Sequence, residues 1–506
     1  MQRRDFLRAS FQAAAAFGGA SAWPAFALAP DGQAFDAAIA NQPGLKPFKG
    51  VSDATGELRC DALALSGRWP AALRGRFYRN GPALYERDGQ RYHHWFAGDG
   101  MVQQFAFSGG AQPVVRHLGR LVRTPKLLAE QRAGRFLYGA YGTKIDSDEP
   151  VQGPDSFNVA NTNALEHAGR VLAMWEGGSA FALRPDDLAT VGPVTWQQGL
   201  AQMPFSAHPK LDANGHLWNF GSAGANLVVW HIDPAGALAK AQIGDSPYPG
   251  GMAHDAAITA RYIVLPLPPI KLRFGEDLAS GQAFDYAPNE PLRILVMHKD
   301  DIAQRRVFEL PSQMVFHVGN AFERRDGRIA LSFVGAPTPE FVMHGASALL
   351  AGHPASFGGS STRLALLDMK SGRAHVDAMD DTVEFPRVHP QRNGLATRYL
   401  LTAAAWRGGA SPAQRFHGLQ LRDTETGRTQ RYDYGAQTVV EEHIVVPKPG
   451  AMHELDAWLL GTSFDVARGV TRLTLFDARG LADGPIAQAS LPYWLPYGFH
   501  GNFTAA

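Results

Sequence analysis

The chain is short of sulfur and of any charge bias. It has one cysteine, Cys60, so no intramolecular disulfide can form and thiolates cannot dominate a metal site. Forty-eight Lys and Arg face 47 Asp and Glu, a net charge of +1. That balance gives no footprint for nucleic acid or a strongly acidic partner. Past the N-terminal segment, no uncharged apolar run reaches the ~18 residues that a spanning helix needs. Long amphipathic helical patterns are scarce too, and no motif for an organic cofactor is present. The chain is rich instead in glycine (54) and in apolar residues (45%), the mark of a large, turn-rich globule with ample core. Its length of 506 residues alone would suggest several domains. Large all-β folds escape that rule, and no linker divides residues 30–506, which read as one domain.

Residues 1–29 read as a targeting segment rather than as fold. The run Met1-Gln-Arg-Arg-Asp-Phe-Leu-Arg8 sets an arginine pair before Phe-Leu. A weakly apolar Ala/Gly stretch follows, then Ala25-Phe-Ala27 and Ala27-Leu-Ala29, either a candidate cleavage site. This is the pattern of a twin-arginine export signal, and it predicts a periplasmic protein that folds, and takes up any metal, before export.

Within the mature chain one pattern recurs seven times: alternating apolar residues, then Asp or Ser, then usually Gly. The copies are Val102–Gly109, Phe181–Asp186, Val228–Gly236, Ile294–Asp300, Leu364–Gly372, Leu419–Gly427 and Leu473–Gly480. Each reads as a strand entering a tight Asx-type turn. Seven such hairpins predict an all-β fold, a seven-bladed β-propeller. The repeats are longer than the common propeller repeat. The surplus is expected in loops that form a dome over one face, with residues 124–150, 266–291 and 340–361 as candidates. A propeller brings residues distant in sequence to one axis.

Four of the 18 histidines stand in apolar or glycine-bearing contexts: Ser206-Ala-His208-Pro, Met252-Ala-His254-Asp, Val315-Phe-His317-Val-Gly and Gly498-Phe-His500-Gly. A buried imidazole must satisfy two ring nitrogens. A metal on one and a carboxylate on the other does so. Glu176, Glu384 and Glu442 each sit at or inside a strand-like run, where glutamate is poorly suited unless paired. Taken singly, each of these residues has an ordinary reading, as a packed histidine or a solvated strand end. His93, His94, His167, His375 and His443 read as surface or turn residues.

These segments resemble the carotenoid cleavage oxygenase family over nearly the whole mature chain. The resemblance is carried by Gly75-Arg-Phe-Tyr-Arg-Asn-Gly-Pro82, His94-Trp-Phe-Ala-Gly-Asp-Gly-Met101, Asn161-Thr-Asn163 and Leu172-Ala-Met-Trp-Glu-Gly177. It continues through Ala253-His-Asp255, Phe316-His-Val-Gly-Asn-Ala-Phe-Glu323, Glu384-Phe-Pro386 and Gly498-Phe-His-Gly501. The resemblance implies a non-haem Fe(II) on the propeller axis, held by His208, His254, His317 and His500. It implies that Glu176, Glu384 and Glu442 hydrogen-bond three of those imidazoles. Glu442 is preferred to its neighbour Glu441 by its spacing to Val446-Pro447. Thr162 matches a threonine close to the iron in some members. The implied reaction adds O2 across a conjugated C=C and splits it into two carbonyl products.

Two branches of the family then compete. One cleaves carotenoids or apocarotenoids, the other stilbenes and phenylpropenes. Stilbene cleavers tend to carry lysine just before the first of the three glutamates. Trp175 stands there instead and offers an apolar wall, which favours the polyene reading. Tyr141 is a looser match to a phenol-binding tyrosine. A polyene substrate also predicts peripheral membrane contact, with residues 264–270 and 346–355 as candidate docking patches and loop packing as their plainer reading. From outside the enzymes, a non-catalytic propeller that binds a partner is the rival. A calcium-dependent propeller hydrolase would want oxygen ligands, and this set is nitrogen-rich.

Overall fold

The computed structural model describes residues 32–145, 147, 149–272, 284–353, 355, 359–406 and 416–506; the twin-arginine segment lies outside them. The strands form seven antiparallel sheets of four or five strands, arranged as the blades of a propeller. From the axis outward, blade one runs His500–Ala505, Gly75–Leu84, Asp99–Phe107, Val115–Leu121 and Glu57–Cys60. The innermost strands of blades two to seven are Asn163–His167, Lys210–Leu211, Ala257–Ile258, Met314–Glu323, Thr382–Arg387 and Thr438–Pro447. Blade one thus takes its inner strand from the C-terminus. Blade seven takes its outer strand, Ala64–Gly67, from the N-terminal side. Both crossings fasten the ring.

Every one of the seven repeats falls on the third strand from the axis of a different blade. The apolar alternation has a direct physical cause there. In the strand Leu292–His298, Ile294 and Val296 pack into the seam with blade five, beside Val315, Leu331 and Phe333. Leu295 and Met297 point the other way, into the seam with blade three, beside Phe220 and Val229. A third strand is therefore buried on both faces and reads as a continuous apolar run. Burying each such side chain stabilises the fold by about 1.5–3 kcal/mol. The turns that follow are closed by the recurring aspartates. Asp368 Oδ1 accepts the amides of Lys370 (2.9 Å) and Ser371 (3.1 Å), and Gly372 follows at φ 77°. Where the glycine is missing, in blade two, Leu188 takes the left-handed position at φ 54°.

In an up-and-down sheet the connections from second to third strand and from blade to blade emerge on one face. The three long loops are of these two kinds, so they share that face. Residues 124–150 carry the helix Pro125–Ala133, residues 266–291 carry the ribbon Ile270–Leu272 with Phe284–Tyr286, and residues 340–361 carry the short helices Phe341–Gly345 and Ala346–Leu350. The apolar runs considered for docking are largely packed inside, although Ala351 and His353 of the second are exposed. Residues 264–270 are buried throughout, mostly in a second strand of blade four. Of residues 346–355, Ala346, Leu349, Leu350 and Ala355 pack into a core cluster with Trp95, Phe341 and Tyr497. Strand packing accounts for the first run, and loop packing for the buried residues of the second. No helix among the described residues is long and apolar enough to cross a membrane.

Candidate active site

Each blade delivers one polar residue to the axis at or near the head of its innermost strand: His500, Thr162, His208, His254, His317, Glu384 and Glu442. The strands bearing His317, Glu384 and Glu442 all break their ladder register there, between Val315 and Asn320, Glu384 and Arg387, and Val440 and His443. A bulge re-aims one side chain without ending the strand. At Phe385, φ is 56°, so the Glu384 carboxylate and the Phe385 ring both face the site.

His208, His254, His317 and His500 meet at one point, their ligand nitrogens all within 4.8 Å of one another. The Nε2 atoms of His208 and His254 are 3.2 Å apart, and those of His254 and His317 are 3.4 Å apart. On the far side of three of these rings stand carboxylates. His317 Nδ1 donates to Glu384 (2.6 Å) and His500 Nδ1 to Glu442 (2.9 Å). The Glu176 carboxylate lies against His254 Nδ1. Glu176 comes from the second-to-third-strand turn of blade two. With Nδ1 protonated, each Nε2 presents a lone pair to its neighbours. Lone pairs at 3.2–3.4 Å repel unless a cation lies between them. An ion ~2.1 Å from each nitrogen sets adjacent nitrogens about 3 Å apart. The donor set fits a first-row dication.

The charges agree with that fit. Four carboxylates, Glu176, Glu384, Glu442 and Asp255, surround the histidines. Two bases face them: Lys210 on Asp255 at 2.8 Å, and Arg387 on Glu442 at 2.9 and 2.8 Å. Two negative charges remain, matched by one divalent ion. Burial alone would raise the Glu442 carboxyl, but Arg387 and the His500 imidazole outweigh it and hold it down to about 2. Burial pushes His500 down to about 4 and His208 well below its ordinary value. Burial also pulls His254 down, yet Glu176 reverses the sign and raises it.

A cavity of ≈ 840 Å³, counted to its open mouth, reaches the histidines from the dome side, the size class of a small-molecule site. Its wall is aromatic: Trp95, Phe96, Tyr141, Trp175, Phe284 and Phe316 among others. Among the described residues that line it, none is a lysine or arginine. The loop 124–150 supplies Tyr141 and the loop 266–291 supplies Phe284. Thr162 lines the cavity with its hydroxyl donated to Asn161 (2.9 Å). The Trp175 indole hydrogen-bonds the Tyr141 hydroxyl. Its ring packs edge-on to Phe157 at 5.5 Å.

Several residues fall elsewhere than the sequence indicated. His94, His167 and His443, read as surface or turn residues, are buried. His94 caps the turn Trp95–Ala97 and contacts the Val342 carbonyl (3.1 Å). His443 lies in the innermost strand of blade seven, bonded to Tyr434 and Thr474. Each found a polar partner inside the fold, which context in the sequence could not reveal. Glu441 points away from the metal ligands and pairs with Arg79 at 2.6 Å. Lys210, Asp255 and Arg387 carry site charge and were not singled out. Their one signal was closeness in sequence to His208, His254 and Glu384.

Residues 52–505 match the family model described as retinal pigment epithelial membrane protein. The chain is 30% identical over 473 residues to apocarotenoid-15,15'-oxygenase of Synechocystis sp., covering 87% of this chain and 92% of that protein. It is 29% identical to lignostilbene-alpha,beta-dioxygenase isozyme III of Sphingomonas paucimobilis, covering 88% and 94%. The cobalt-substituted Synechocystis oxygenase superposes with a TM-score of 0.82 at 26% identity, over 96% of this chain and all of that one. That oxygenase has also been solved with a threonine, a tryptophan and the glutamate directly after it substituted singly. The threonine precedes the tryptophan by thirteen positions there, as Thr162 precedes Trp175-Glu176 here. The chain belongs to the retinal pigment epithelial membrane protein family, the carotenoid cleavage oxygenases.

Proposed function

We propose that this chain is a ferrous dioxygenase that cleaves one conjugated C=C bond of an apocarotenoid or carotenoid with O2. The observation that carries the reading is a four-imidazole centre with two uncompensated negative charges at the end of an aromatic cavity whose described lining includes no lysine or arginine. A charge of −2 suits Fe(II) better than Fe(III). Bound iron supplies the one-electron chemistry that lets triplet O2 react with a closed-shell alkene. The balance needs no other reductant: the C=C bond breaks, each carbon gains one oxygen atom, and two carbonyl groups form.

The protein's own part is positioning. The aromatic wall holds an apolar chain in register and keeps water out. Glu176, Glu384 and Glu442 fix the tautomers and angles of three ligand rings. His208, His254, His317 and His500 would hold the ion, and Thr162, in the cavity wall beside them, would narrow the approach to it. No side chain is needed as general acid or base.

The polyene branch is favoured over the stilbene branch by Trp175. A tryptophan against the first glutamate is what the apocarotenoid oxygenase also carries at this spacing. The indole N–H donates a hydrogen bond to the Tyr141 hydroxyl and offers no charge to a phenolate. Incubation of the iron-loaded protein with a panel of apocarotenals and hydroxystilbenes, with mass analysis of the aldehydes, tests the reading. Aldehydes from polyenes support it; aldehydes from stilbenes alone refute it.

The arginine pair before Phe-Leu supports export of the folded protein to the periplasm. There a lipid-soluble polyene would be taken from a membrane surface. Sedimentation with lipid vesicles tests that contact, and protein left wholly in the supernatant refutes it.

A further inference from the structure

Two of the carboxylates around the histidines are built into the fold in the same way. In one, Arg387 on the innermost strand of blade six faces Glu442 on that of blade seven. Glu442 then accepts the backbone N–H of Gly501 in blade one, the residue after the ligand His500, at 2.9 Å. In the other, Lys210 on the innermost strand of blade three faces Asp255, at the head of that of blade four, at 2.8 Å. Asp255 Oδ2 accepts the backbone N–H of Val318 in blade five, the residue after the ligand His317, at 2.8 Å. Its Oδ1 accepts the N–H of Ala256 at 2.7 Å. In both, a base from one blade, an acid from the next and the amide after a histidine from the third are tied together.

We propose that Asp255 and Lys210 are positioning residues for the metal, a clamp that holds the His208, His254 and His317 segments in ligating register. Asp255 follows His254 directly, Lys210 lies two residues after His208, and Val318 follows His317. The one carboxylate therefore joins three ligand segments from three blades. Its own contact with an imidazole is looser than Glu442's: Oδ1 stands 3.8 Å from His208 Nδ1. The shorter aspartate holds backbone where Glu442 holds both backbone and ring. Asp255 is 4% exposed, so its charge acts with little screening by water. Lys210 keeps that charge from adding to the excess of the three glutamates.

The inference rests on the four-histidine centre and not on the substrate. The test is cobalt(II) binding to chelator-treated protein, followed by calorimetry and by the d–d absorption of the bound ion. Asp255→Asn is expected to weaken cobalt binding 10- to 100-fold, the usual effect of losing a partner behind a ligand. It should also alter the d–d band, while the melting temperature of the metal-free protein stays within a few degrees. Unchanged affinity and band overturn the clamp. So does a loss of metal-free stability with an unchanged cobalt band in the folded fraction, which marks a merely structural aspartate. Lys210→Met keeps every backbone bond to Asp255 and provides a second reading if Asp255→Asn does not fold. Its cobalt complex should show an altered d–d band, as expected for Asp255→Asn, and a band equal to the unaltered protein's overturns the proposal. Failure of the unaltered protein to bind cobalt would refute the metal centre itself.

Discussion

Replacing Trp175 with lysine puts the substrate assignment under strain at one position. Trp175 is 4% exposed, packs on Phe157 and donates to Tyr141. Removing a buried tryptophan costs about 3–5 kcal/mol when the site stays empty. The lysine stem fills part of the gap, so a loss of about 2–4 kcal/mol is expected. The larger consequence is chemical. The new ammonium enters a cavity whose described lining has no other lysine or arginine, and a polyene chain cannot accept its hydrogen bonds. A buried donor left unsatisfied costs about 1–3 kcal/mol, a drop of roughly 10- to 100-fold in kcat/KM for an apocarotenal. A 4-hydroxystilbene can satisfy that ammonium with its phenol oxygen and should gain by a similar factor. The assay is chromatographic measurement of kcat/KM for both substrates, at equal metal content so that disturbance of Glu176 is excluded. The ratio should swing by ~100-fold or more toward the stilbene. A ratio that moves less than about threefold would show that Trp175 does not discriminate, and the polyene reading would lose its main residue-level support.

Glu442→Gln leaves Arg387 unpaired beside a ligand ring and should lower metal affinity about 10- to 100-fold; metal retained at the native level after dialysis would contradict the role given to it. Stability should fall with acid. Burial holds His94 and His443 down to about 4 and His117 down to about 3. These rings stay neutral in the fold while the unfolded chain binds protons from about 6.5. Stability is thus lost as pH drops below 6.5, levels off only as the folded-state values are passed, and amounts to on the order of 3 kcal/mol for each ring. Urea midpoints of the metal-free protein at pH 7.5, 6 and 5 check this, and a midpoint that rises with acid is the wrong sign. Exchanging Arg3 and Arg4 for lysine should trap a fused reporter in the cytoplasm; undiminished periplasmic reporter signal argues against twin-arginine export.

The seven blades were legible because the third strand of each is buried on both faces and ends in an Asp-anchored turn. Such strands are strongly patterned by local physics. The inner strands were not legible as strands. Lys210–Leu211 and Ala257–Ile258 are two residues long, and the strands of His317, Glu384 and Glu442 carry bulges at those residues. Their histidines were found by context and by resemblance. The pairing of particular glutamates with particular imidazoles was out of reach, because it depends on bulge geometry. Glu176 reaches His254 from a different blade, which no spacing reports. Lys210, Asp255 and Arg387 stayed hidden for a simpler reason: an isolated charge beside a histidine is common on any surface. Only the three-blade convergence makes these three unusual. His443 misled in the opposite sense, since its partners are Tyr434, just past the outer strand of blade six, and Thr474, on the third strand of blade seven.

The most direct test of the account is a diffraction experiment on protein prepared with iron, collected on both sides of the iron absorption edge. The account predicts one anomalous peak on the propeller axis, bonded to the Nε2 atoms of His208, His254, His317 and His500. A peak elsewhere, or one that leaves out any of the four in fully iron-loaded protein, would contradict it.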